Sequence, residues 1–469
     1  MELSRTRKRL ILLVACMEAF MATLDGSIVN IALPDISRQM HVEISAVQWV
    51  STAYLLAIVL LLLLWGKLAD LRGKKGVIIT GFLFFAAGSA LCSFSKSLEF
   101  LIIARIIQAV GAGAMMSLSQ GIVTGTFAPG ERGAALGQVG MMVALGSLTG
   151  PFLGGILVSA FGWPSIFIIN VPIGVASAAL AFCVLPAHME KPEKQPFDWK
   201  GTVFFSAGIL ALFLTLLLAQ QGSISPIWLL PAVAVAAAAL VGFVFAERRT
   251  ASPLVHLGLF RKQPFSLGLL QGYLIFIALS ATLLFVPFYL QDLLRYDAFH
   301  AGLIVAVYPI VLAFSSPLSG RLADRMSTRP LTAAGTGISA AALFALAFVR
   351  QDTPMWVIIA ALALLGVGNG LFQSPNNSDI FNTVPPAQLG IAGGINALFR
   401  NLGFVSGTAF SVLIFSFTAG LNVNSISGAI DARAFMRGFS PVFLFCGACA
   451  AGALALCFVR IAKHVETAR

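Results

Sequence analysis

Two short stretches of sequence decide the fold. Residues 66–75 read GKLADLRGKK, and residues 320–325 read GRLADR. Each follows the second apolar stretch in a block of six such stretches. The same Gly-basic-Leu-Ala-Asp pattern at equivalent positions indicates a duplicated chain, a feature of membrane proteins built from internal repeats. The sequence therefore predicts two homologous halves with six helices each.

The composition around these stretches is that of a membrane protein. Of the 469 residues, 58% are hydrophobic and only 10% are charged, and the mean hydropathy is +0.92. Soluble domains carry about 25% charged residues, so a water-soluble globular fold is excluded. The 44 Gly and 21 Pro agree with this, because both are more frequent in membrane helices than in soluble ones.

The apolar stretches are long enough to cross a bilayer as helices, which takes about 20 residues each. They lie near 10–33, 46–66, 77–95, 98–120, 136–160, 165–186, 201–220, 226–246, 265–290, 300–319, 330–349, 355–379, 388–418 and 437–460. The fold class is therefore an all-α polytopic membrane protein with two pseudo-symmetric six-helix bundles and two extra central helices. The predicted domains are a bundle at 1–186, a linker with the extra helices at 187–264, and a bundle at 265–469.

Basic residues predict the orientation of the chain in the membrane. Of the 30 Lys and Arg, 22 fall on the side of the N-terminus and six on the opposite side. This bias and the even number of spans predict that both termini are cytoplasmic, and the expected location is the cell inner (plasma) membrane. It also explains the net charge of +11 without a nucleic-acid partner.

At this point the chain resembles the major facilitator superfamily, and within it the fourteen-span drug:proton antiporter group. Besides 66–75, the stretches that carry the resemblance are 24–34 (LDGSIVNIALP), 48–50 (QWV) with Tyr54, 105–111 (RIIQAVG), 146–155 (GSLTGPFLGG), 167–174 (FIINVPIG), 197–199 (FDW) and 400–403 (RNLG). Three positions depart from the family pattern: Leu71 replaces a basic residue, Ala109 replaces Gly, and Glu18 replaces an apolar or small residue. The resemblance implies a major facilitator fold and a monomeric protein that carries small molecules and protons across the bilayer.

Motifs for catalysis are missing from the sequence, so we predict that the chain is not an enzyme. There is no phosphate-binding loop, the five histidines are scattered, and neither a metal site nor a cofactor is expected. The proton gradient would then be the energy source. The CxxC spacing of Cys446 and Cys449 and the glycine-rich stretch 366–370 are interpreted as helix packing.

Charged residues at membrane depth are the strongest candidates for function, because burying a charge there is costly. At 1.5 Å per residue, Asp25 lies roughly 22 Å and Arg105 about 20 Å from the cytoplasmic face. They are therefore expected to interact, either as a proton-coupling pair or as a static contact between helices. Glu18, two helical turns before Asp25, faces the same side and is either a competing proton carrier or a helix contact.

Several polar and aromatic residues are candidates for a substrate cavity, although each could instead serve packing. They are Trp49, Tyr54, Gln271, Tyr273, Tyr289, Asn369, Gln373, Asn376 and Arg400. Arg400 lies roughly 18 Å deep in its span, where it would either position a network between helices or meet an anionic group.

A further set is expected to control conformational switching. Its members are Gly66, Asp70, Arg72, Gly73, Asp324, Gly150 and Pro151. Asp70 and Asp324 lie in predicted loops between basic residues, where each could accept from a helix N-terminus in one state only. Gly150 allows close helix approach, and Pro151 kinks its helix.

The first hypothesis for function is a proton-coupled antiporter that exports amphipathic drugs or toxic organic compounds by alternating access. Burial disfavours a charged carboxylate and a nearby guanidinium favours it, so Asp25 would exchange protons under the control of Arg105. The alternative is a proton-coupled carrier of one specific metabolite, acting as exporter or symporter. A membrane sensor or lipid-modifying enzyme lacks any supporting motif.

Overall fold

The computed structural model describes residues 4–186, 196–220, 226–250, 252–420 and 432–467, and within these ranges the regular structure is entirely helical. Fourteen described helices are long and apolar enough to cross a membrane, which confirms the predicted number of spans. The helices are α1 Arg5–Met40, α2 Trp49–Arg72, α3 Lys74–Ser93, α4 Leu98–Thr126, α5 Arg132–Phe161, α6 Asn170–Val184, α7 Trp199–Gln220, α8 Pro226–Arg249, α9 Gln263–Phe288, α10 Ala298–Arg325, α11 Thr328–Ala347, α12 Met355–Asn382, α13 Leu389–Ala419 and α14 Ala432–Thr467.

Short polar side chains cap several helix starts. Ser97 accepts a hydrogen bond from the backbone N–H of Phe100 at the start of α4, and Asp297 accepts one from His300 at the start of α10. Such caps satisfy N–H groups that have no partner within the helix. The bonds from the backbone and the ring of His300 hold the pKa of Asp297 below its ordinary value.

The helices extend beyond the apolar stretches, and this corrects the placement of two aspartates. Asp70 lies in the last turn of α2, and Asp324 lies in the last turn of α10. The expectation that both are in loops was wrong, because hydropathy marks only the apolar part of a helix whose backbone hydrogen bonds continue further. Helix α2 ends where Gly73 takes a φ of +96°, a conformation that L side chains rarely adopt.

The first compact unit comprises Met1–Val203, Phe245–Leu257 and Val384–Leu398. In it α1 packs along α5, α4 packs against α3 and α2, and α3 packs against α6. Glycines let the backbones approach. A Cβ at Gly88 on α3 would collide with the backbone of Gln108 on α4, and one at Gly111 would collide with Phe85.

The second compact unit comprises Phe204–Val244, Gly258–Thr383 and Phe399–Arg469. It repeats the same pairings, since α12 packs against α11 and α10, and α11 packs against α14. Gly335 on α11 and Gly368 on α12 make the equivalent close approach, and Gly366 packs on the backbone of Tyr308. The repeated pairings agree with a duplicated chain, and the glycine-rich stretch 366–370 serves helix packing as predicted.

Most of the predicted polar linker, His188–Lys200, falls on residues 187–195, which lie outside the described residues. The domain limits 1–186, 187–264 and 265–469 stay a prediction. The described ends of the extra helices α7 and α8, residues 199–203 and 245–249, belong to the first unit.

Candidate functional site

Asp25 is the centre of a buried polar network in the first unit. One carboxylate oxygen, Oδ2, accepts a hydrogen bond from Arg105 Nη1 at 2.6 Å. The other, Oδ1, accepts from Gln108 Nε2 at 2.8 Å and from Asn170 Nδ2 at 3.1 Å. Asp25 is 0% exposed and Arg105 is 1% exposed. Four helices therefore meet at one carboxylate: α1 supplies Asp25, α4 supplies Arg105 and Gln108, α6 supplies Asn170, and α3 adds Ser89, which accepts from Gln108 Nε2 at 2.8 Å.

Arg105 is held on several sides besides Asp25. Its Nη1 also donates to Gln108 Oε1 at 2.6 Å, and its Nε donates to the carbonyl oxygen of Val50 at 3.3 Å. The guanidinium carbon lies 3.7 Å from the centre of the Tyr54 ring, close enough for a cation–π contact. A buried ion pair is stable only with such additional bonds, because both charges have lost their water. The network provides them.

Small residues on α5 let α1 lie close to it at the depth of Asp25. A Cβ at Gly146 would come within 2.7 Å of the carbonyl oxygen of Phe20, and one at Gly150 would collide with the side chain of Ser27. The predicted tight approach at Gly150 is therefore present in the structure. Pro151 lies inside α5 and is exposed.

Glu18 lies two turns before Asp25 on α1 and is 0% exposed. Neither of its carboxyl oxygens has a hydrogen-bond partner in the part of the chain that the structure describes. A carboxyl group buried without donors is stable only when neutral. The two acids of α1 therefore have opposite surroundings, although the sequence places them on one face.

In the second unit, the predicted cavity residues mainly bond to other helices. Asn369 donates to the hydroxyl of Tyr308 at 2.7 Å, and Asn376 donates to the carbonyl oxygen of Gly268 at 3.0 Å. Gln271 donates to Cys457 at 3.0 Å. The amide oxygens of four side chains are buried and have no partner among the described residues: Gln271, Asn369, Gln373 and Asn376.

The structure does not bring every predicted cavity residue to a common site. Tyr289 is 1% exposed in the hydrophobic core of the second unit and donates to the carbonyl oxygen of Arg350. Tyr273 contacts the hydroxyl of Ser406 at 3.1 Å. Trp49 is 37% exposed at the start of α2, and Arg400 is half-buried on α13. Tyr54 belongs to the Arg105 network.

Asp70 caps the start of α13. Its Oδ1 accepts from the backbone N–H of Gly390 and its Oδ2 from that of Ile391, both at 2.8 Å. These are N–H groups of the first turn, which have no partner within the helix and carry the positive end of its dipole. Lys74 adds a bond to the carbonyl oxygen of Pro386 at 3.5 Å. We call this set the Asp70 clamp.

Glycines bring α13 close enough for the Asp70 clamp. A Cβ at Gly66 would lie 2.6 Å from the carbonyl oxygen of Gly390, and one at Gly394 would lie 2.5 Å from that of Leu62. Asn396 then donates to Gln120 on α4 at 2.6 Å. Of the other predicted switch residues, Arg72 is exposed and Asp324 is half-buried at the end of α10.

Sequence reasoning did not select three residues that lie at these sites: Gln108, Asn170 and Gly390. Gln108 follows Arg105 by three positions and so shares its helix face, a signal that was available. Asn170 had no comparable signal beyond its family stretch. Gly390 opens a run with Gly393 and Gly394, and only its tertiary contact distinguishes it from ordinary packing glycines.

The described residues contain no group of three or more His, Cys, Asp or Glu that could hold a metal ion. The structure contains two polar sites. One is the carboxylate of Asp25 with a guanidinium and two amides, buried between helices. The other is the Asp70 clamp, in which a carboxylate of α2 caps the start of α13. The Asp25 site pairs one buried negative charge with one buried positive charge between helices.

Comparison with known proteins agrees with this architecture. The family model of the Major Facilitator Superfamily matches residues 16–408. The riboflavin transporter RibZ of Clostridioides difficile is 36% identical over 407 residues, which is 86% of this chain and 87% of that protein. The multidrug resistance protein Stp of Mycobacterium tuberculosis is 31% identical over 405 residues, 86% of this chain and 75% of that protein.

A solved structure supports the fold at much lower sequence identity. The human organic anion transporter MFSD10 (TETRAN) superimposes with a TM-score of 0.70 at 15% identity, covering 96% of this chain and 99% of that one. The relatives are transporters rather than enzymes, and the fourteen apolar helices of this chain agree with a multi-pass membrane protein. The chain therefore belongs to the Major Facilitator Superfamily, and it is consistent with the fourteen-span drug efflux group of that family.

Proposed function

We propose that this transporter is a proton-coupled antiporter that exports amphipathic organic compounds by alternating access. The observation that carries the proposal is the buried network around Asp25, in which one carboxylate has a guanidinium and two amides as donors. A proton taken up by Asp25 would remove the ion pair with Arg105 while leaving its amide contacts partly in place.

The energy of that change has the magnitude that a switch needs. Removing one partner of a buried ion pair lowers the stability of a folded protein by about 3–5 kcal/mol. Moving a two-state equilibrium from 1:99 to 99:1 takes about 5.5 kcal/mol. If the ion pair forms in one state only, its loss on protonation of Asp25 would supply most of this free energy, and substrate binding would supply the rest.

The Asp70 clamp supplies the element that the switch acts upon. It holds the start of α13 to α2 through two backbone hydrogen bonds to one carboxylate. We propose that this contact forms in one state and opens in the other, so that Asp70 governs switching rather than affinity. Asp324, at the equivalent place in the second half, would have the corresponding role.

The remaining parts of the proposal concern the setting. The proton gradient is the energy source, and no cofactor is required. We propose that the protein acts as a monomer in the cell inner membrane. The distribution of Lys and Arg supports a cytoplasmic position for both termini. Glu18 stays a prediction as the competing proton carrier. The residues that stay predictions for the substrate cavity are Trp49, Tyr54, Gln271, Tyr273, Tyr289, Asn369, Gln373, Asn376 and Arg400.

A second candidate function is a carrier for one metabolite. It is favoured by the identity of 36% to a riboflavin transporter, which exceeds the 31% identity to the multidrug resistance protein. The buried amide oxygens of the second unit are also suited to a substrate with several hydrogen-bond donors.

One experiment separates the two candidates. Inside-out membrane vesicles containing the protein are energised, and the lumenal pH is followed with a fluorescent dye while compounds are added. Proton release on addition of several unrelated lipophilic cations supports drug export. A response to riboflavin alone supports the metabolite carrier, and accumulation of substrate with no change in lumenal pH contradicts proton antiport.

A further inference from the structure

Two buried acids face each other where the extra helices meet the first bundle. Asp198 immediately precedes α7 and is 5% exposed, while Glu247 lies in the last turn of α8 and is 4% exposed. One oxygen of each is bonded to the backbone: Asp198 Oδ1 accepts from Gly201 N–H at 2.8 Å, and Glu247 Oε2 accepts from Val255 N–H at 2.9 Å. All of these residues belong to the first compact unit.

The second oxygen of each acid has no hydrogen-bond partner in the described ranges, although both are buried. They point to the same place. A Cβ at Gly201 would lie 2.5 Å from Glu247 Oε1 and 2.6 Å from Asp198 Oδ2. Because both oxygens lie within 2.6 Å of one point, they are at most about 5 Å apart. Glycine keeps that space free.

Two charged groups act on Glu247. Asp198 and Lys67 are the charges that influence Glu247. Lys67 is 5% exposed and lies on α2, one residue after Gly66. The neighbouring side chains Lys200, Arg248 and Arg249 are exposed to the surroundings. One buried cation therefore stands beside two buried acids.

A single bound proton would reduce the charge of the two acids from −2 to −1. Two carboxylates at this separation repel each other, so that one of them favours its neutral form. A protonated carboxyl can donate to the unpartnered oxygen of the other, which removes both unsatisfied acceptors at once. The remaining negative charge then balances that of Lys67.

We propose that Asp198 and Glu247 share one bound proton, and that this proton fastens the ends of α7 and α8 to each other beside Lys67. The site is a second proton-binding site, separate from Asp25. Loss of the proton leaves two buried negative charges beside one cation and loosens the attachment. Loss of the proton thereby changes the charge beside Lys67 of α2, the helix that also carries Asp70.

The shared proton is tested by infrared difference spectroscopy of the purified protein as pH is raised, following the stretching band of protonated carboxyl groups. We expect one step of this band to be missing in Glu247→Gln and the same step to be missing in Asp198→Asn. If the step remains in both variants, no proton is bound there. If it is lost in only one, the proton belongs to a single residue, and sharing is overturned.

The attachment is tested by hydrogen exchange of the Gly201 and Val255 amides, corrected for the intrinsic effect of pH. We expect exchange in the wild type to become about tenfold faster or more above the pH of the infrared step, and exchange in Glu247→Gln to stay constant. Gly201→Ala places a methyl group between the two oxygens and should speed exchange at every pH without removing a charge. Glu131→Gln, which alters an exposed acid paired with Lys8, is the matched control and should follow the wild type.

Two outcomes of the exchange measurement would contradict the attachment of the helix ends. Exchange that is independent of pH in the wild type, or a pH step that survives in Glu247→Gln, refutes the proposed attachment. Neither measurement uses transport, so this inference does not rest on the proposed function and can fail separately from it.

Discussion

Replacing Asp25 by Asn tests the proposed coupling site most directly, because it keeps the size of the side chain and removes its exchangeable charge. All three side chains that bond to Asp25 are donors: Arg105, Gln108 and Asn170. Asparagine has one acceptor oxygen and one NH2 group. If the NH2 group takes the place of Oδ2, Arg105 loses its acceptor, and if it takes the place of Oδ1, Gln108 and Asn170 both lose theirs.

The cost follows from this geometry. The guanidinium of Arg105 remains buried but loses its counter-charge, which costs about 3–5 kcal/mol in folded proteins. The amides that remain, Gln108 Oε1 at 2.6 Å and the Val50 carbonyl at 3.3 Å, are neutral acceptors and offset only part of it. We therefore expect Asp25→Asn to lower the stability of the first unit and to abolish uphill transport driven by pH.

The double variant Asp25→Asn/Arg105→Met separates these two effects. It removes the unpaired charge and should recover a substantial part of the lost stability, because charges in contact are energetically coupled by about 0.5–3 kcal/mol. Transport driven by pH should not recover, since no group at position 25 can cycle a proton.

The assay compares thermal unfolding of the purified variants with accumulation of substrate in energised vesicles. Substrate binding at equilibrium should persist in Asp25→Asn but lose most of its pH dependence. Accumulation of substrate against its gradient by Asp25→Asn would refute the assignment. If Glu18→Gln, the control, fails to accumulate substrate in the same test, the coupling role belongs to Glu18.

Three further predictions concern other parts of the molecule. Asp70→Asn leaves one N–H of α13 with a neutral acceptor and the other with none, and a hydrogen bond to a charged group is worth about 1.5–3 kcal/mol. Transport should therefore slow by roughly tenfold or more, while equilibrium binding of substrate changes only a few-fold. A large loss of affinity with unchanged turnover would contradict this. Gly66→Ala should also slow transport, because its Cβ would lie 2.6 Å from the Gly390 carbonyl oxygen, whereas the control Gly76→Ala meets nothing within 4 Å and should behave as wild type. Deletion of α7 and α8 with fusion of the two bundles should leave measurable transport in vesicles, since each half carries its own copy of the loop pattern; complete loss in a correctly inserted protein would show that these helices are essential.

Much of the fold was accessible from the sequence because its signals are local and repeated. Hydropathy finds a span wherever some 20 apolar residues follow one another, and all fourteen spans are present among the described residues. The contact between Asp25 and Arg105 was accessible for another reason. Charges are so rare at membrane depth that two of opposite sign at similar depth are expected to meet.

Contacts that depend on the path of the backbone were not accessible in this way. Asp198 and Glu247 are 49 positions apart, each near the end of an extra helix, where an acid is normally interpreted as exposed. Their burial depends on how Gly201 and the segment at Val255 are folded. The capping of α13 by Asp70 is equally non-local, because residues 70 and 390 carry no pattern that links them.

The two acids of α1 show why charge alone does not identify the group that carries a proton. Asp25 has a cation and two amides as partners, so it can keep its charge while buried and release the cation when it is protonated. Glu18 has no hydrogen-bond partner in the described structure. Its ionised form would be buried without a donor, which is energetically unfavourable. A coupling site needs both of its protonation states to be reachable. By that criterion the surroundings of Asp25 fit the role in the arrangement seen here, and Glu18 would fit it only in a conformation that brings a donor or water to its carboxyl group.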